Sequence, residues 1–250
     1  AEIPYLSLIH SIMTDNNDVF FKSLWQYHQS SADQELITWT NLTEEDPVPL
    51  SYFFRTFDQM PTLEKKALEL ARGKVLDIGC GSGCHSLYLQ NEKKLNVVGL
   101  DSSASAIRVA TDSGLLQTIN QCIFDFKGDT FDTILLLMNG SGICGSLDRL
   151  ELLLEKLQTL LNPRGQILLD SSDLIYLFDE TSEGEKIIPA NQYYGELQYG
   201  IRFENNTETF PWLYVDYGHL SHSAHQVGLE AQLLLEGENW DYLARLTKEY

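Results

Sequence analysis

The run Val75-Leu76-Asp77-Ile78-Gly79-Cys80-Gly81-Ser82-Gly83 constrains this chain more than any other stretch of it. A short β-favouring segment carrying one acid leads directly into three glycines at alternate positions. Such a stretch reads as a strand breaking into a turn whose backbone comes very close to something bound. Glycine supplies both the dihedrals and the missing side chain that the approach needs. Beyond Gly83 the apolar spacing changes to Leu87 and Leu89, the start of a helix whose free N–H groups point at the same place. A glycine turn can also be purely structural, but here the elements expected of a ligand-binding sheet follow it in order.

The 250 residues suit one α/β domain with embellishments, or a domain plus a small cap. Residues 1–70 read as helices and loops: a helix over 18–29, a polar loop through Pro47 and Pro49, and a helix over 61–72. Pro61 at the start of that helix, Glu64 in its first turn and Arg72-Gly73 at its end have the polarity of helix caps. From Lys74 onward strand and helix alternate, which implies a parallel sheet with helices on both faces. Strands are expected over 74–78, 96–100, 122–124, 133–138 and 165–170, with helices over 84–90, 103–112 and 147–161. Asn162-Pro163-Arg164-Gly165 reads as a compact turn between the last helix and the last strand. Two aromatic-rich runs, 191–203 and 209–217, flank Asn205-Asn206-Thr207 and read as an antiparallel hairpin. A helix over 219–227 and strands over 229–235 and 241–246 close the chain.

Composition narrows the partners. Against 17 basic residues stand 36 acidic ones, a net charge of −19, and the bases form no stripe. Affinity for nucleic acid comes from Lys and Arg, so a chain this acidic is a poor match for a phosphate backbone. A neutral or cationic small molecule suits its field better. No apolar run approaches the ~20 residues of a membrane span. The first dozen residues place no Lys or Arg ahead of an apolar block, which argues against a retained signal peptide and for a cytoplasmic location. Cys80, Cys84, Cys122 and Cys144 form no Cys-x-x-Cys pair and read as reduced thiols.

Asp77-x-Gly79-x-Gly81-x-Gly83 at a strand-to-helix turn resembles the cofactor loop of class I S-adenosylmethionine-dependent methyltransferases. The resemblance continues through Val97-Val98-Gly99-Leu100-Asp101-Ser102, Asp125-Phe126, the run 133–138 with Asn139-Gly140, and Leu161 to Asp170. It covers residues 62–175 closely and 219–246 loosely. The rival, a dinucleotide-binding oxidoreductase, needs Gly-x-Gly-x-x-Gly, and the sixth position counted from Gly79 is Cys84. The resemblance implies S-adenosylmethionine over Gly79–Gly83, with Asp77 and Cys80 in the loop. Asp101 and Ser102 would then meet the ribose, Asp125 and Phe126 the adenine, and Asn139 and Gly140 the methionine end. Arg55, set among Tyr52, Phe53 and Phe54, is a candidate for the cofactor carboxylate, or its aromatic neighbours simply pack on the sheet edge.

A sulfonium methyl is already activated, so alignment matters more than covalent catalysis, and positioning supplies on the order of 7–11 kcal/mol at best. A general base is needed only if the acceptor loses a proton. The candidates are Asp170, Asp173, His219 and His222, with His225 and the hairpin tyrosines behind them. The three histidines recur at every third position; metal ligation is one reading of them, and side chains beside the site the preferred one. Ser171-Ser172-Asp173 follows the fifth strand at the ligand-binding edge, or else caps the next helix. His85 is either beside the cofactor or a helix cap. In related small-molecule enzymes the insert after the fifth strand covers the acceptor pocket. By that likeness Tyr194, Tyr199, Trp212 and Tyr214 are acceptor-pocket candidates, the alternative being a packed aromatic face.

The whole reads as an α/β protein with a doubly wound, seven-stranded, mostly parallel sheet whose last strand is antiparallel. A helical cap over residues 1–61 would precede a cofactor-binding domain over 62–250, with the hairpin inserted at about 191–217. A small-molecule methyl acceptor is the first expectation. A basic peptide as acceptor, and a cofactor-binding protein without catalysis, are the alternatives, and no metal is expected.

Overall fold

A computed structural model describes residues 18–249. They carry helices α1 (Val19–Ser30), α2 (Thr62–Leu70), α3 (Cys84–Asn91), α4 (Ala104–Asp112), α5 (Leu150–Leu160) and α6 (Tyr217–Gln226). The strands are β1 (Glu35–Thr40), β2 (Asp46–Pro49), β3 (Lys74–Ile78), β4 (Asn96–Asp101), β5 (Thr118–Asn120), β6 (Phe131–Leu136), β7 (Leu161–Ser172), β8 (Glu196–Phe203), β9 (Asn206–Leu213), β10 (Leu229–Glu236) and β11 (Asp241–Lys248). Seven of them form one sheet in the order β10-β11-β7-β6-β3-β4-β5. β4 and β5 run parallel, as do β6 and β7, while β11 is antiparallel to both its neighbours. The other four form the sheet β2-β1-β8-β9.

By its contacts the chain divides into two units. One takes in the described residues through Gln59 with Leu76–Lys127 and Tyr199–Phe210; the other comprises Met60–Val75, Gly128–Gln198 and the described residues from Pro211 on. Of the helical cap expected over residues 1–61, residues 1–17 lie outside the described residues. Leu24, Leu36, Leu50, Val109, Ile201 and Phe203 make one core within the first unit. In the second, Ile134, Leu135 and Leu136 of β6 and Ile167, Leu168 and Leu169 of β7 are wholly buried, as befits central strands covered on both faces.

Helix starts follow the side chains available. Asp18 caps α1 by accepting from the Phe21 N–H, Ser103 caps α4 through Ala106, and Asp216 caps α6 through His219.

Four expectations need correction. The stretch read as a polar loop holds β1 and β2, whose partner strand β8 lies far along the chain, and Pro47 and Pro49 are tolerated because β2 is an edge strand. The strand expected at 122–124 is instead a tight turn in which the Asp125 and Phe126 N–H groups donate to the Cys122 carbonyl. The edge strand is the more polar Thr118–Asn120, zipped parallel to Gly99–Asp101. The turn at Asn162–Gly165 lies inside β7: Phe131 pairs with Leu161 and Thr133 with Gln166, so these residues bulge from the ladder with Arg164 at φ +65°. Likewise residues 147–161 begin as a 3₁₀ turn over Leu147–Arg149 before the α-helix. No helix of the described residues is long and apolar enough to cross a membrane.

Candidate functional site

In the first unit the site is built from backbone. Gly79, Gly81 and Gly83 all sit in the left-handed region, at φ +69°, +54° and +85°. Only glycine adopts that region without strain. The Gly79 and Cys80 N–H groups donate to the Leu100 carbonyl at 2.8 and 3.2 Å, binding the loop to β4. The Gly81 N–H donates to Asp101 Oδ2 at 3.0 Å. Among the described residues, none beyond its own chain neighbours comes within 4 Å of the point where a Gly79 Cβ would stand, so they leave space against the main chain there.

Asp101 is the hinge of this arrangement. Its second oxygen accepts the Ser103 N–H at 2.9 Å, and the side chain is only 5% exposed. Burial pushes its carboxyl up to about 6, against those two N–H groups, with Asp18 and Asp77 adding like charge. The Ser103 hydroxyl donates to Asp18 at 2.5 Å, which ties the start of α1 to the same acid. Phe21 of α1 comes within 3.9 Å of the Gly81 Cβ position, and the Phe20 ring meets the Phe53 ring edge-on at 4.8 Å. The Ser82 hydroxyl donates to the Phe53 carbonyl. α1 and the turn Leu50–Phe54 therefore pack over the glycine loop.

The remaining residues named for the cofactor fall into distinct roles. Asp77 is buried and accepts the Ser86 hydroxyl at 2.7 Å; burial raises its carboxyl against the pull of His85 and Ser86, so it braces the loop to α3 from within. Burial pushes the Cys80 thiol well up, and its side chain packs with Ala110 and Leu115. Its contribution to a ligand is main chain. Ser102 is half-buried and its carbonyl accepts from Asn120. Asp125 is exposed on its turn, whereas the Phe126 ring points into the core. Arg55 is buried, donates to the Tyr52 carbonyl at 2.6 Å and lies 4.1 Å from the centre of the Tyr52 ring. With Phe57, Ser82, Cys84 and Tyr88 it lines a cleft of about 520 Å³ beside the loop.

In the second unit the polar groups gather at the carboxyl end of β7. Met138 and Asn139 leave β6 at φ +61° and +56°, and their N–H groups donate to the two oxygens of Asp170 at 3.1 and 2.8 Å. Asp170 thus holds a strained turn, and Gly140 and the buried Ser141 follow directly from it. Asp173 caps the 3₁₀ turn Leu174–Leu177, as the capping alternative expected, and also accepts the Tyr194 hydroxyl at 2.8 Å. The Tyr193 hydroxyl donates to Asp216 at 2.7 Å and accepts the Asp216 N–H at 2.9 Å. His219 Nδ1 meets the same carboxylate at 2.5 Å.

The expected acceptor-pocket residues separate. Tyr194 joins this network. Tyr199 stacks on Phe210 at 5.7 Å and packs on the core of the first unit, the packed-face alternative. Trp212 lies flat on Gly142, where a Cβ would stand 2.0 Å from its indole, and the Tyr214 N–H donates to Gly195. His222 is exposed, and His225 pairs with Glu249 at the surface. Among the described residues no three His, Cys, Asp or Glu side chains are placed to share a metal. Among the described residues no cysteine is joined in a disulfide. The sequence reading missed Asp216; the signal it offered was an Asp three residues ahead of His219, at the start of a helix.

Residues 52–232 match the methyltransferase domain family. A SAM-dependent methyltransferase from Bacteroides fragilis, solved with S-adenosyl-L-homocysteine, is 38% identical and superposes with a TM-score of 0.85, covering 94% of this chain and 96% of that one. An amino pentose methyltransferase of calicheamicin biosynthesis from Micromonospora echinaspora, solved with SAM, shares the fold at 14% identity and a TM-score of 0.56, covering 77% of this chain and 94% of that one. The CcbJ methyltransferase from Streptomyces caelestis does so at 15% identity and 0.59, covering 79% and 98%. No curated protein sequence matches this one.

Proposed function

This chain belongs to the methyltransferase domain family, and we propose that it transfers a methyl group from S-adenosylmethionine to a small molecule. The observation that carries the cofactor is the glycine loop, with three left-handed glycines, an empty space at Gly79 and a buried acid at the end of β4. The 38% identical relative from Bacteroides fragilis, solved with S-adenosyl-L-homocysteine, supports the same choice.

The cofactor supplies an activated sulfonium methyl. The protein's part is to bind and orient. The main chain of Gly79–Gly83 admits close approach, and the free N–H groups at the start of α3 favour polar oxygen there. Asp101 accepts two N–H groups and keeps further lone pairs on both oxygens, which suits it to the ribose hydroxyls. Asp125 is accessible for the adenine amino group, and the Arg55 guanidinium lines the neighbouring cleft. The small-molecule acceptor rests on the net charge of −19 with no basic stripe, and on the phenol and carboxylate groups at the end of β7.

Calorimetric titration with S-adenosylmethionine and S-adenosylhomocysteine, with NAD and NADP as controls, tests the cofactor. Micromolar binding of the first pair alone is the expected result. Failure of both in folded protein would refute it.

A further inference from the structure

We infer that Asp216 holds His219 as a proton acceptor at the carboxyl edge of β7, so that the methyl acceptor is a hydroxyl or amine that sheds a proton; this rests on the methyltransferase reading above.

The argument begins with which atoms can donate. Asp216 Oδ2 meets His219 Nδ1 at 2.5 Å, the Tyr193 hydroxyl at 2.7 Å and the Tyr194 hydroxyl at 3.3 Å, and Oδ1 takes the His219 N–H at 3.1 Å. Burial opposes the Asp216 charge, yet the Tyr193 and His219 hydrogen bonds prevail and hold its carboxyl below the ordinary range. An ionised carboxylate only accepts, so the proton of neutral His219 is on Nδ1 and the lone pair is on Nε2.

The neighbouring groups are committed elsewhere. Burial, with the adjoining acids, pushes both tyrosine hydroxyls far up, and they stay protonated donors. Asp170 serves the Met138 and Asn139 N–H groups, and Asp173 serves Ile175 and Tyr194. His219 is 49% exposed, with its ring centre 4.7 Å from that of Tyr193. The titratable groups around it are Asp216 of its own helix start, Tyr193 against its ring, and Tyr194 and Asp173 behind. Val215, next to Asp216, donates its N–H to the Ser171 hydroxyl and accepts from the Tyr242 hydroxyl, which fixes the pair to the end of β7. That edge of an open α/β sheet is where ligands bind.

In the step so assigned, the acceptor heteroatom forms its new bond to the methyl carbon with a lone pair, and the carbon–sulfur pair leaves with sulfur. The proton lost by the heteroatom passes to Nε2. The resulting imidazolium stays beside Asp216, which stabilises its charge as the carboxylate of a catalytic triad does. His219 is then the catalytic residue and Asp216 its positioning residue.

Full-length protein carrying ¹⁵N-labelled histidine tests the pair without any acceptor. The expected spectrum shows neutral His219 with Nδ1 protonated and Nε2 bare. Asp216→Asn, which still caps α6, should mix the tautomers. Turnover is followed as S-adenosylhomocysteine release over a panel of phenols, alcohols and amines. There His219→Ala should lose roughly a hundredfold or more while its affinity for S-adenosylmethionine is unchanged. His225→Ala should leave both unchanged. Protonated Nε2 in neutral His219, a tautomer ratio indifferent to Asp216→Asn, or full turnover by His219→Ala would overturn the assignment. If the wild-type chain binds no S-adenosylmethionine, the cofactor reading fails, and the histidine spectra still decide the pair.

Discussion

At the glycine loop, Asp101 gives both carboxylate oxygens to main-chain N–H groups, those of Gly81 and Ser103. At the end of β7, Asp216 gathers two tyrosine hydroxyls and a histidine ring instead. The first is a device of backbone: glycine dihedrals shape it, and its acid ends the strand to which the loop is bonded. The second is a device of side chains, drawn from the segment before β8 and the start of α6. Backbone donors have fixed protonation and serve binding. A histidine between a carboxylate and open space can change protonation and serve chemistry. The two regions therefore predict different failures when they are altered.

The largest effect belongs to the loop. Gly79→Val places a β-branched side chain at φ +69° and fills the space left open beside the main chain. Stability should fall by ~1–2 kcal/mol from left-handed strain. Affinity for S-adenosylmethionine should fall by roughly a hundredfold, about 3 kcal/mol. Calorimetry on the folded variant checks this, and near wild-type affinity would mean that the loop is only a structural turn.

Asp101 comes next, because its carboxyl is pushed by burial from 3.8 to about 6. The folded chain takes up that proton more readily than the unfolded chain does. Stability due to this group is therefore greatest at low pH and is lost as pH rises from about 4 to about 6, a cost on the order of 3 kcal/mol at neutral pH. Binding has the opposite sign. If ribose hydroxyls donate to the ionised form, the Kd should rise by up to about tenfold for each pH unit below about 6. Asp101→Asn should flatten this profile and weaken binding at neutral pH by roughly 1–3 kcal/mol. A wild-type profile flat through the same window would break the ribose assignment.

The same contrast explains what could be read in the sequence. Asp77 to Gly83 can be read because strand, acid and turn are contiguous and the dihedrals demand glycine, and Asp101 because it ends the next apolar strand. The central strands β3, β4 and β6 read out for the same local reason: their apolar runs admit no other placement. β1 and β2 did not, since a short run with Pro47 and Pro49 becomes strand only through β8. Cys122 to Phe124 misled because its apolar residues are buried by a turn, while the true edge strand at Thr118–Asn120 is half polar. At β7 the acids were visible one by one, and the step from Asp216 to His219 is local, but the link from Tyr193 to Asp216 depends on how distant segments are set down, and no spacing encodes that. Trp212 and Tyr199 read like a ligand box because the aromatic composition of a packed face is the same.

Tyr193→Phe sharpens the second region. Its hydroxyl both donates to Asp216 and accepts the Asp216 N–H, so the change removes a donor and leaves that N–H without its partner. A stability loss of about 1–2 kcal/mol is expected, read from denaturant unfolding. No loss would show that Tyr194 alone sustains the carboxylate.

The smallest effect is the most discriminating, since α6 carries both a histidine held in a network and one that is not. His225 meets Glu249 at 2.8 Å, much as His219 meets Asp216. Distance alone does not separate the two pairs. The difference is solvent: the His225 and Glu249 side chains are 72% and 44% exposed, while Asp216 is 15% exposed. Water competes for every donor and acceptor of the outer pair and screens its charge, so it is worth about 0–1 kcal/mol at most. His225→Ala should therefore move stability by less than about 0.5 kcal/mol and leave the Nδ1-protonated tautomer of His219 as it was. If His225→Ala changed that tautomer, the histidines of α6 would be coupled along the helix, and Asp216 could no longer be credited with holding His219 by itself.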